Sequence, residues 1–366
     1  MSFSADDHRY MARALQLAER GLYTTDPNPR VGCVLVSDKQ IIGEGWHERA
    51  GEPHAEIHAL KNAGKKAQGS TAYVTLEPCC HQGRTPPCSE ALIDAGIARV
   101  VVAMRDPHSR VDGGGIRQLR EAGITVETGL MENQAHRLNP GFIKRMQQGR
   151  PFVRLKLAMS LDGRTAMASG ESQWITGEAA RRDVHCWRAR SSAILTGVGT
   201  VLADDPAMTV RLDDIENRPL RVIIDTNLST PADARILQQP GRTLIMTCSE
   251  DEPARESLEQ AGASLMTIPQ NEHNNVDLAA VLDRLGEQEI NELHVEAGAT
   301  LAGSLLQAGL VDELILYMAP VVLGDAARGL FHLPGLNAMA DRMALEIDDI
   351  RAIGEDWRIS ARVRQS

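Results

Sequence analysis

The side chains best suited to hold a transition metal are concentrated between Pro53 and Cys88. His54 and Glu56 open this stretch, and Cys79, Cys80, His81 and Cys88 close it. An imidazole and two thiolates make a zinc set, and a catalytic zinc site keeps a fourth position for water. His54, Cys79 and Cys88 are therefore expected as ligands. Glu56 is expected beside the water and off the metal, where a carboxylate can carry protons between nucleophile, ring nitrogen and leaving group. A closed structural site competes with this reading. His58 lies four residues from His54, on the same helix face, and a two-His, two-Cys set has no open position. Cys80 and His81 offer spare ligands. The closed arrangement leaves Glu56 without a role.

Hydrophobic spacing predicts the elements that carry these residues. Residues 5–20 form an amphipathic helix on Met11, Ala14, Leu15 and Ala18, ended at Gly21. Thr25 to Pro29 is a turn, 31–36 a buried strand and 41–46 its hairpin return. A helix over 54–63 begins at His54 and carries Glu56. A strand over 72–76 runs into Cys79, and a helix over 88–96 starts at Cys88. Strand 99–104, helix 113–122, strand 124–128 and one helix over 131–148 follow. Gly149 and Pro151 break the pattern, so the expected domains are 1–148 and 149–366. Both read as α/β. The second has strands at 152–159, 193–196, 220–225, 243–247, 264–268, 293–295 and 313–319. Its helices are at 178–190, 277–285 and 300–308, with a final strand pair near 343–348 and 357–363.

Composition removes several function classes. A net charge of −10 opposes general binding to nucleic acid or an anionic membrane, because phosphate backbones need clustered Lys and Arg. An aromatic share of 3% leaves few stacking platforms for single strands. Neither opposes a small phosphorylated substrate. The first residues lack a basic stretch followed by an apolar run, and no apolar run approaches membrane-spanning length. Three of the six cysteines, Cys79, Cys80 and Cys88, crowd the metal motif, which favours metal over disulfides and a cytoplasmic location.

The second half has no G-x-G-x-x-G after its first strand, and Gly197-Val198-Gly199 lacks the third glycine. From the residues alone it is an α/β domain with two Gly-bearing loops, able to cradle phosphates or merely to turn. Arg188 is either an anion ligand or a solvated helix face. Trp174 is either a contact residue or core, and Lys156 either assists a substrate or snorkels outward.

Two sets of segments carry a resemblance. His54-Ala55-Glu56 with Pro78-Cys79 is similar to the zinc nucleobase deaminase signature, H-x-E then P-C-x-x-C, but Gln82 stands where its second cysteine is due. The long Gly83-Arg84-Thr85-Pro86-Pro87-Cys88 spacer and Asn28-Pro29-Arg30-Val31-Gly32 resemble the bifunctional deaminase/reductase family of riboflavin biosynthesis. Lys156 to Gly163, Trp174-Ile175-Thr176, Ala203 to Pro206 and Val295 to Gly298 resemble that family's reductase half. The resemblance implies a cytidine-deaminase-like three-layer domain followed by a dihydrofolate-reductase-like domain, with Zn2+ and NADPH as cofactors. Asn28 would hold the pyrimidine. Ala158, Trp174, Thr200, Asp204 and the loop of Gly298, Ala299, Thr300, Leu301, Ala302, Gly303 and Ser304 would contact NADPH. Lys156, Ser172, Arg188, Met208, Arg211 and Glu296 would contact the sugar phosphate. Cys80 replaces the family's frequent Ser, and Ala299 its usual Pro.

The implied partner is a small phosphorylated pyrimidine, with no nucleic acid and no membrane, and the implied assembly a homo-oligomer. The implied reactions are hydrolytic deamination of 2,5-diamino-6-ribosylamino-4(3H)-pyrimidinone 5′-phosphate and reduction of its ribosyl group to ribityl. Two rivals are a deaminase of a free base or tRNA with a non-catalytic second domain, and a non-enzymatic protein with structural zinc.

Overall fold

The structure is a computed structural model that describes residues 3–80, 87–108, 113–215 and 217–364. Most of the family-like spacer, His81 to Pro86, lies outside the described residues. The chain divides into two compact units, Met1–Gly149 and Arg150–Ser366.

The first unit runs α1 (Ala5–Glu19), β1 (Gly32–Ser37), β2 (Gln40–Trp46), α2 (Ala55–Ala63), β3 (Thr71–Leu76), α3 (Cys88–Asp94), β4 (Arg99–Met104), α4 (Gly114–Glu121), β5 (Thr125–Thr128), α5 (Glu132–Leu138) and α6 (Pro140–Gln148). Its sheet has the order β2-β1-β3-β4-β5. The first three strands are antiparallel neighbours and the last three parallel. Strand residues alternate between faces, and glycines bring helices close on both. A Cβ on Gly32 would stand 2.0 Å from the Ala14 carbonyl oxygen of α1, and one on Gly45 would stand 2.3 Å from that of Ala55 in α2. Helices thus cover both faces, and the core between them includes Met11, Leu35, Val74, Leu92, Val101 and Leu119.

The single helix expected over 131–148 is two. Pro140 has no N–H to give and disfavours helical backbone at the residue before it. Asn139 accordingly takes φ −124°, ψ 39°. The break frees a buried side chain for tertiary use. Asn139 Oδ1 accepts from the Arg30 N–H at 2.8 Å, and its Nδ2 donates to the Arg30 carbonyl at 2.9 Å. This clamps the segment that carries Asn28.

The second unit runs β6 (Phe152–Ser160), β7 (Arg164–Ala166), α7 (Glu178–Arg190), β8 (Ala193–Gly197), α8 (Val198–Asp204), β9 (Leu220–Ile224), β10 (Thr243–Thr247), α9 (Glu252–Gln260), β11 (Ala263–Thr267), α10 (Leu278–Glu287), β12 (Glu292–Glu296), α11 (Ala299–Gln307), β13 (Glu313–Ala319), β14 (Arg328–Gly329), β15 (Leu345–Ile353) and β16 (Asp356–Val363). The sheet order is β11-β10-β9-β8-β12-β6-β13-β16-β15. It is parallel from β11 to β13, and β16 and β15 add antiparallel. The spacing did not predict α9, which buries only Leu258. It is fixed instead by its Asp251 cap, which accepts from the Ala254 N–H at 3.2 Å.

Leu155, Leu157, Leu293 and Val295 enter the main core. Their neighbours Arg154, Lys156, Glu292, His294 and Glu296 therefore face the opposite side. There Arg154 pairs with Glu292 at 2.7 Å and Glu313 at 2.6 Å, and Arg190 of α7 pairs with Glu292 at 3.0 Å. Trp187 of α7 lies under Arg154, Arg190 and Arg358, each within 5.3 Å of a ring centroid.

The clamp at Asn139 gives a stability prediction. Asn139→Ala strands a buried N–H and a buried carbonyl of Arg30, and it is expected to destabilise the first unit by about 2 kcal/mol. Urea unfolding followed by a first-unit probe would measure it, and a change below about 0.5 kcal/mol would remove the clamp from the account.

Candidate functional site

In the first unit the sheet's parallel strands and the helix starts converge on one place. His54 occupies the N-cap of α2, Cys88 is the first residue of α3, and Cys79 follows β3 by three residues. One ligand atom from each lies within 4.8 Å of the others. His54 Nδ1 is 3.3 Å from Cys88 Sγ and 3.6 Å from Cys79 Sγ, and the Cys88 backbone N–H donates to Cys79 Sγ at 3.3 Å. Cys79 carries the negative charge of the cluster. The Cys88 thiol, and then His54 and the Cys88 N–H, donate to it and hold its pKa down to about 4 against burial. The Cys88 thiol, as the donor to that thiolate, is pushed up.

Glu56 lies in the first turn of α2 and is 3% exposed. Burial raises its pKa, and Oε2 has no hydrogen-bond partner among the described residues. Two sulfurs, an imidazole and an unfilled carboxylate oxygen fit a catalytic zinc better than a closed one. His58 is not part of the cluster. Cys80 points elsewhere: a Cβ on Gly114 of α4 would stand 2.7 Å from its sulfur. The four-ligand arrangement through His58 or Cys80 is therefore not formed. His81 lies outside the described residues.

Asn28 reaches this site through a residue that spacing did not single out. Its Nδ2 is 3.1 Å from His47 Nε2, and His47 Nδ1 is 3.2 Å from the Pro53 carbonyl. A carbonyl only accepts, so neutral His47 carries its proton on Nδ1 and accepts from Asn28. Burial lowers the His47 pKa and favours that neutral form. The ring packs edge-on against His54, with centroids 5.3 Å apart. Glu77 was equally unmarked. It is buried, and it accepts from the N–H groups of Ile116 at 3.1 Å, Gly113 at 3.2 Å and Asp106 at 3.3 Å. It thus ties the start of α4 to the strand end that leads to Cys79.

In the second unit, β8, β12 and β6 are parallel neighbours. Their carboxyl ends gather Lys156, Ala158, Glu296 and the chain leading to Thr200, as expected of a ligand crevice in an open α/β sheet. Glu296 is held by Arg188 of α7, Nε to Oε1 at 2.5 Å and Nη2 to Oε2 at 2.9 Å, with Lys156 Nζ 3.8 Å from Oε2. Burial pushes the Glu296 carboxyl up, but Arg188 and Lys156 outweigh it and hold its pKa well below the usual range. Burial lowers the Lys156 pKa.

Arg188, expected at the sugar phosphate, is already bonded within the protein. Its Nη1 also donates to the Thr209 carbonyl at 2.9 Å, so all three guanidinium nitrogens are engaged. Arg211 is exposed and has no carboxylate partner among the described residues. Met208 is buried with φ 49°, at the bend that presents Arg211.

Trp174 is 68% exposed, under the Arg181 guanidinium at 4.7 Å, and so is not core. Ser172 is half-buried in the same loop, and Asp204 is exposed at the end of α8. The segment Gly298 to Ser304 is the start of the helix expected over 300–308, with Gly298 as N-cap and Ala299 to Ser304 in α11. Ala302 is fully buried, and a Cβ on Gly303 would stand 2.0 Å from the His332 carbonyl oxygen. Those two residues face the protein, while Gly298, Thr300 and Ser304 are exposed.

Two family models divide the chain as the two sites do. Residues 4–104 match the cytidine and deoxycytidylate deaminase zinc-binding region, and residues 151–359 match the RibD C-terminal domain. The riboflavin biosynthesis protein RibD of Escherichia coli is 56% identical over 363 residues, covering 96% of this chain and 97% of that one. The chain belongs to the RibD family. RibD of Haemophilus influenzae is 49% identical, with 98% of both chains covered. The solved Acinetobacter baumannii RibD structure is 48% identical, with a TM-score of 0.91, covering 98% of this chain and 99% of that one. As a RibD, this chain is a bifunctional deaminase/reductase of riboflavin biosynthesis that uses zinc and NADPH, and its second unit is dihydrofolate-reductase-like. None of its helices among the described residues is long and apolar enough to cross a membrane.

The cluster's charge predicts a reactivity order. After zinc is removed by chelation, the Cys88 thiol, His54 and the Cys88 N–H still donate to Cys79 and hold its pKa below the usual thiol range, so it is the cysteine expected to be most ionised at pH 6. Burial raises the pKa of Cys33, Cys80 and Cys248. Brief iodoacetamide treatment with peptide mapping is expected to label Cys79 first, and restored zinc to protect it. Preferential labelling of Cys80 would contradict the assignment.

Proposed function

We propose that residues 1–148 deaminate 2,5-diamino-6-ribosylamino-4(3H)-pyrimidinone 5′-phosphate and that residues 149–366 then reduce the ribosyl group, giving 5-amino-6-(5-phospho-D-ribitylamino)uracil. Supporting this, a solved Thermotoga maritima protein 33% identical to this chain, with a TM-score of 0.87, is described as a diaminohydroxyphosphoribosylaminopyrimidine deaminase/5-amino-6-(5-phosphoribosylamino)uracil reductase. The enzyme works as a homo-oligomer in the cytoplasm. The observation that carries the first reaction is the unpartnered Oε2 of buried Glu56 next to the His54, Cys79 and Cys88 cluster.

His54, Cys79 and Cys88 hold the zinc. When bound, the ion makes a water acidic enough to attack at neutral pH. Glu56 would take the two protons of the attacking water in turn on Oε2, passing the first to the ring nitrogen and the second, from the new hydroxyl, to the leaving amine; its raised pKa suits both directions. Asn28, its amide orientation set by His47, holds the pyrimidine through its Oδ1 and remaining N–H.

In the reductase, Ala158, Trp174, Thr200, Asp204 and the exposed start of α11, Gly298 to Leu301, bind NADPH, with Ser304 one turn on. Ala302 and Gly303 support that turn from inside. NADPH supplies a hydride to the sugar carbon in its open imine or carbonyl form. Ser172, Met208 and Arg211 hold the sugar phosphate, while Arg188 acts by fixing Glu296 for the sugar hydroxyls. Lys156 stands beside Glu296 and, with its pKa lowered by burial, can yield a proton as the sugar ring opens.

Two activities measured on one preparation test this reading. Glu56→Gln is expected to lower ammonia release by about 100-fold or more while keeping zinc and reducing the deaminated intermediate normally. Cys88→Ser is expected to lose zinc, and Cys80→Ser to keep it, by metal analysis. Normal ammonia release by the Glu56 variant would sink the proton-carrier role.

A further inference from the structure

The segment after α8 offers Arg211 to solvent, yet both of its internal contacts run to a single ring. The Arg211 backbone N–H is 3.3 Å from His185 Nδ1, and its Nε is 3.3 Å from His185 Nε2. His185 belongs to α7, is 8% exposed, and sits three residues before Arg188. Arg188 in turn bonds the Thr209 carbonyl of the same segment. One side of α7 thus grips residues 209–211 at two points.

A neutral imidazole has one lone pair and one N–H. The Thr209 carbonyl also acts on the ring, and as an acceptor it needs the N–H. In the tautomer that gives Nδ1–H to Thr209, the one lone pair is on Nε2 and accepts from Arg211 Nε, and the Arg211 main-chain N–H beside Nδ1 is a contact and not a second hydrogen bond. An imidazolium has no lone pair and would face two arginines. Burial first, then Arg188 and Arg211, lower the His185 pKa to about 4, against a smaller opposing effect of Glu296. The ring is therefore neutral near pH 7. Arg211 keeps its two terminal nitrogens uncommitted among the described residues. Those two nitrogens form the end-on fork of a guanidinium, which can take two oxygens of a phosphate.

We propose that His185 is a positioning residue for phosphate recognition in the reductase: the single lone pair of its neutral ring, on Nε2, accepts from Arg211 Nε and so holds that side chain with its terminal nitrogens toward the substrate's phosphate dianion. The proposal rests on the reading of Arg211 as a phosphate ligand. The ring touches no substrate atom itself. Its role is to fix the side chain of an exposed arginine, which would otherwise lose rotamer freedom on binding.

The test uses the full-length enzyme and steady-state reduction of the deaminated intermediate, with and without its phosphate. His185→Leu is expected to raise KM for the phosphorylated substrate about tenfold and to leave kcat and the KM for NADPH near wild type. The rise is expected to vanish with the dephosphorylated substrate and in an Arg211→Ala background. His185→Gln, which offers one carbonyl to Arg211 and one N–H to Thr209, is expected to recover most of the KM. Ammonia release by the same preparations controls for folding. An equal His185→Leu effect on the dephosphorylated substrate or in the Arg211→Ala background, or no recovery with Gln, would assign His185 to packing and overturn the inference. If Arg211→Ala fails to discriminate between the two substrates, the reading of Arg211 itself falls, and the inference falls with it.

Discussion

A carboxylate cannot sit dry beside a sheet without cations or N–H groups around it, and Glu296 is held by two cations. Arg188 reaches it from α7 and Lys156 from β6. Desolvating such ions costs several kcal/mol each, which good geometry offsets only in part. The bidentate Arg188 fork supplies that geometry. One consequence is mechanical: α7 is tied to β12 at Glu296, as it is at Glu292 through Arg190. Another is functional. Arg188 spends three of its five N–H groups on Glu296 and Thr209, whereas Arg211 has no carboxylate partner among the described residues.

The same requirement separates working acids from structural ones. The Asp7 carboxylate accepts from Ser4, Tyr73 and Arg99. Glu77 accepts from three backbone N–H groups, and Asp225 from Ser229 and Thr230. Glu292 has Arg154 and Arg190. Glu56 alone among these acids keeps a buried oxygen with no partner. Such an oxygen is costly in a purely structural position. It is explained where water and substrate arrive beside three metal ligands.

What was legible in the sequence was what lies close along the chain or repeats with a regular period. His54-Ala55-Glu56 and Pro78-Cys79 are contiguous, and the apolar runs at 99–104, 243–247 and 313–319 gave those strands their limits. What was not legible depends on partners far away in sequence. Glu77 has no meaning without the N–H groups of α4. His47 matters through Asn28 and Pro53, and Arg188 reads as a helix surface until Glu296 comes beneath it. Local chemistry could have revealed two misses. Pro140 marks the helix break at Asn139, and Asp251 with Pro253 marks the start of α9. Apolar spacing outweighed those signals because α9 buries a single leucine.

The two units use helix starts differently, and the difference follows from what each start must attract. At α2 and α3 the first turns already carry the chemistry, as His54, Glu56 and Cys88. The positive end of a helix favours thiolate and carboxylate there. At α11 the first turn holds Ala299, Thr300 and Leu301, with no acid and no side-chain cap on Gly298. A Cβ on Gly197 would stand 3.1 Å from the Leu301 side chain, so β8 also packs closely on this turn. Uncapped N–H groups at such a turn suit a dinucleotide's phosphates. A carboxylate in that turn would take the same N–H groups and repel the phosphates. Glu296 lies just before the turn without that effect, because Arg188 and Lys156 already neutralise it. The ion pairs at Glu296 thus also leave the start of α11 open to an anion.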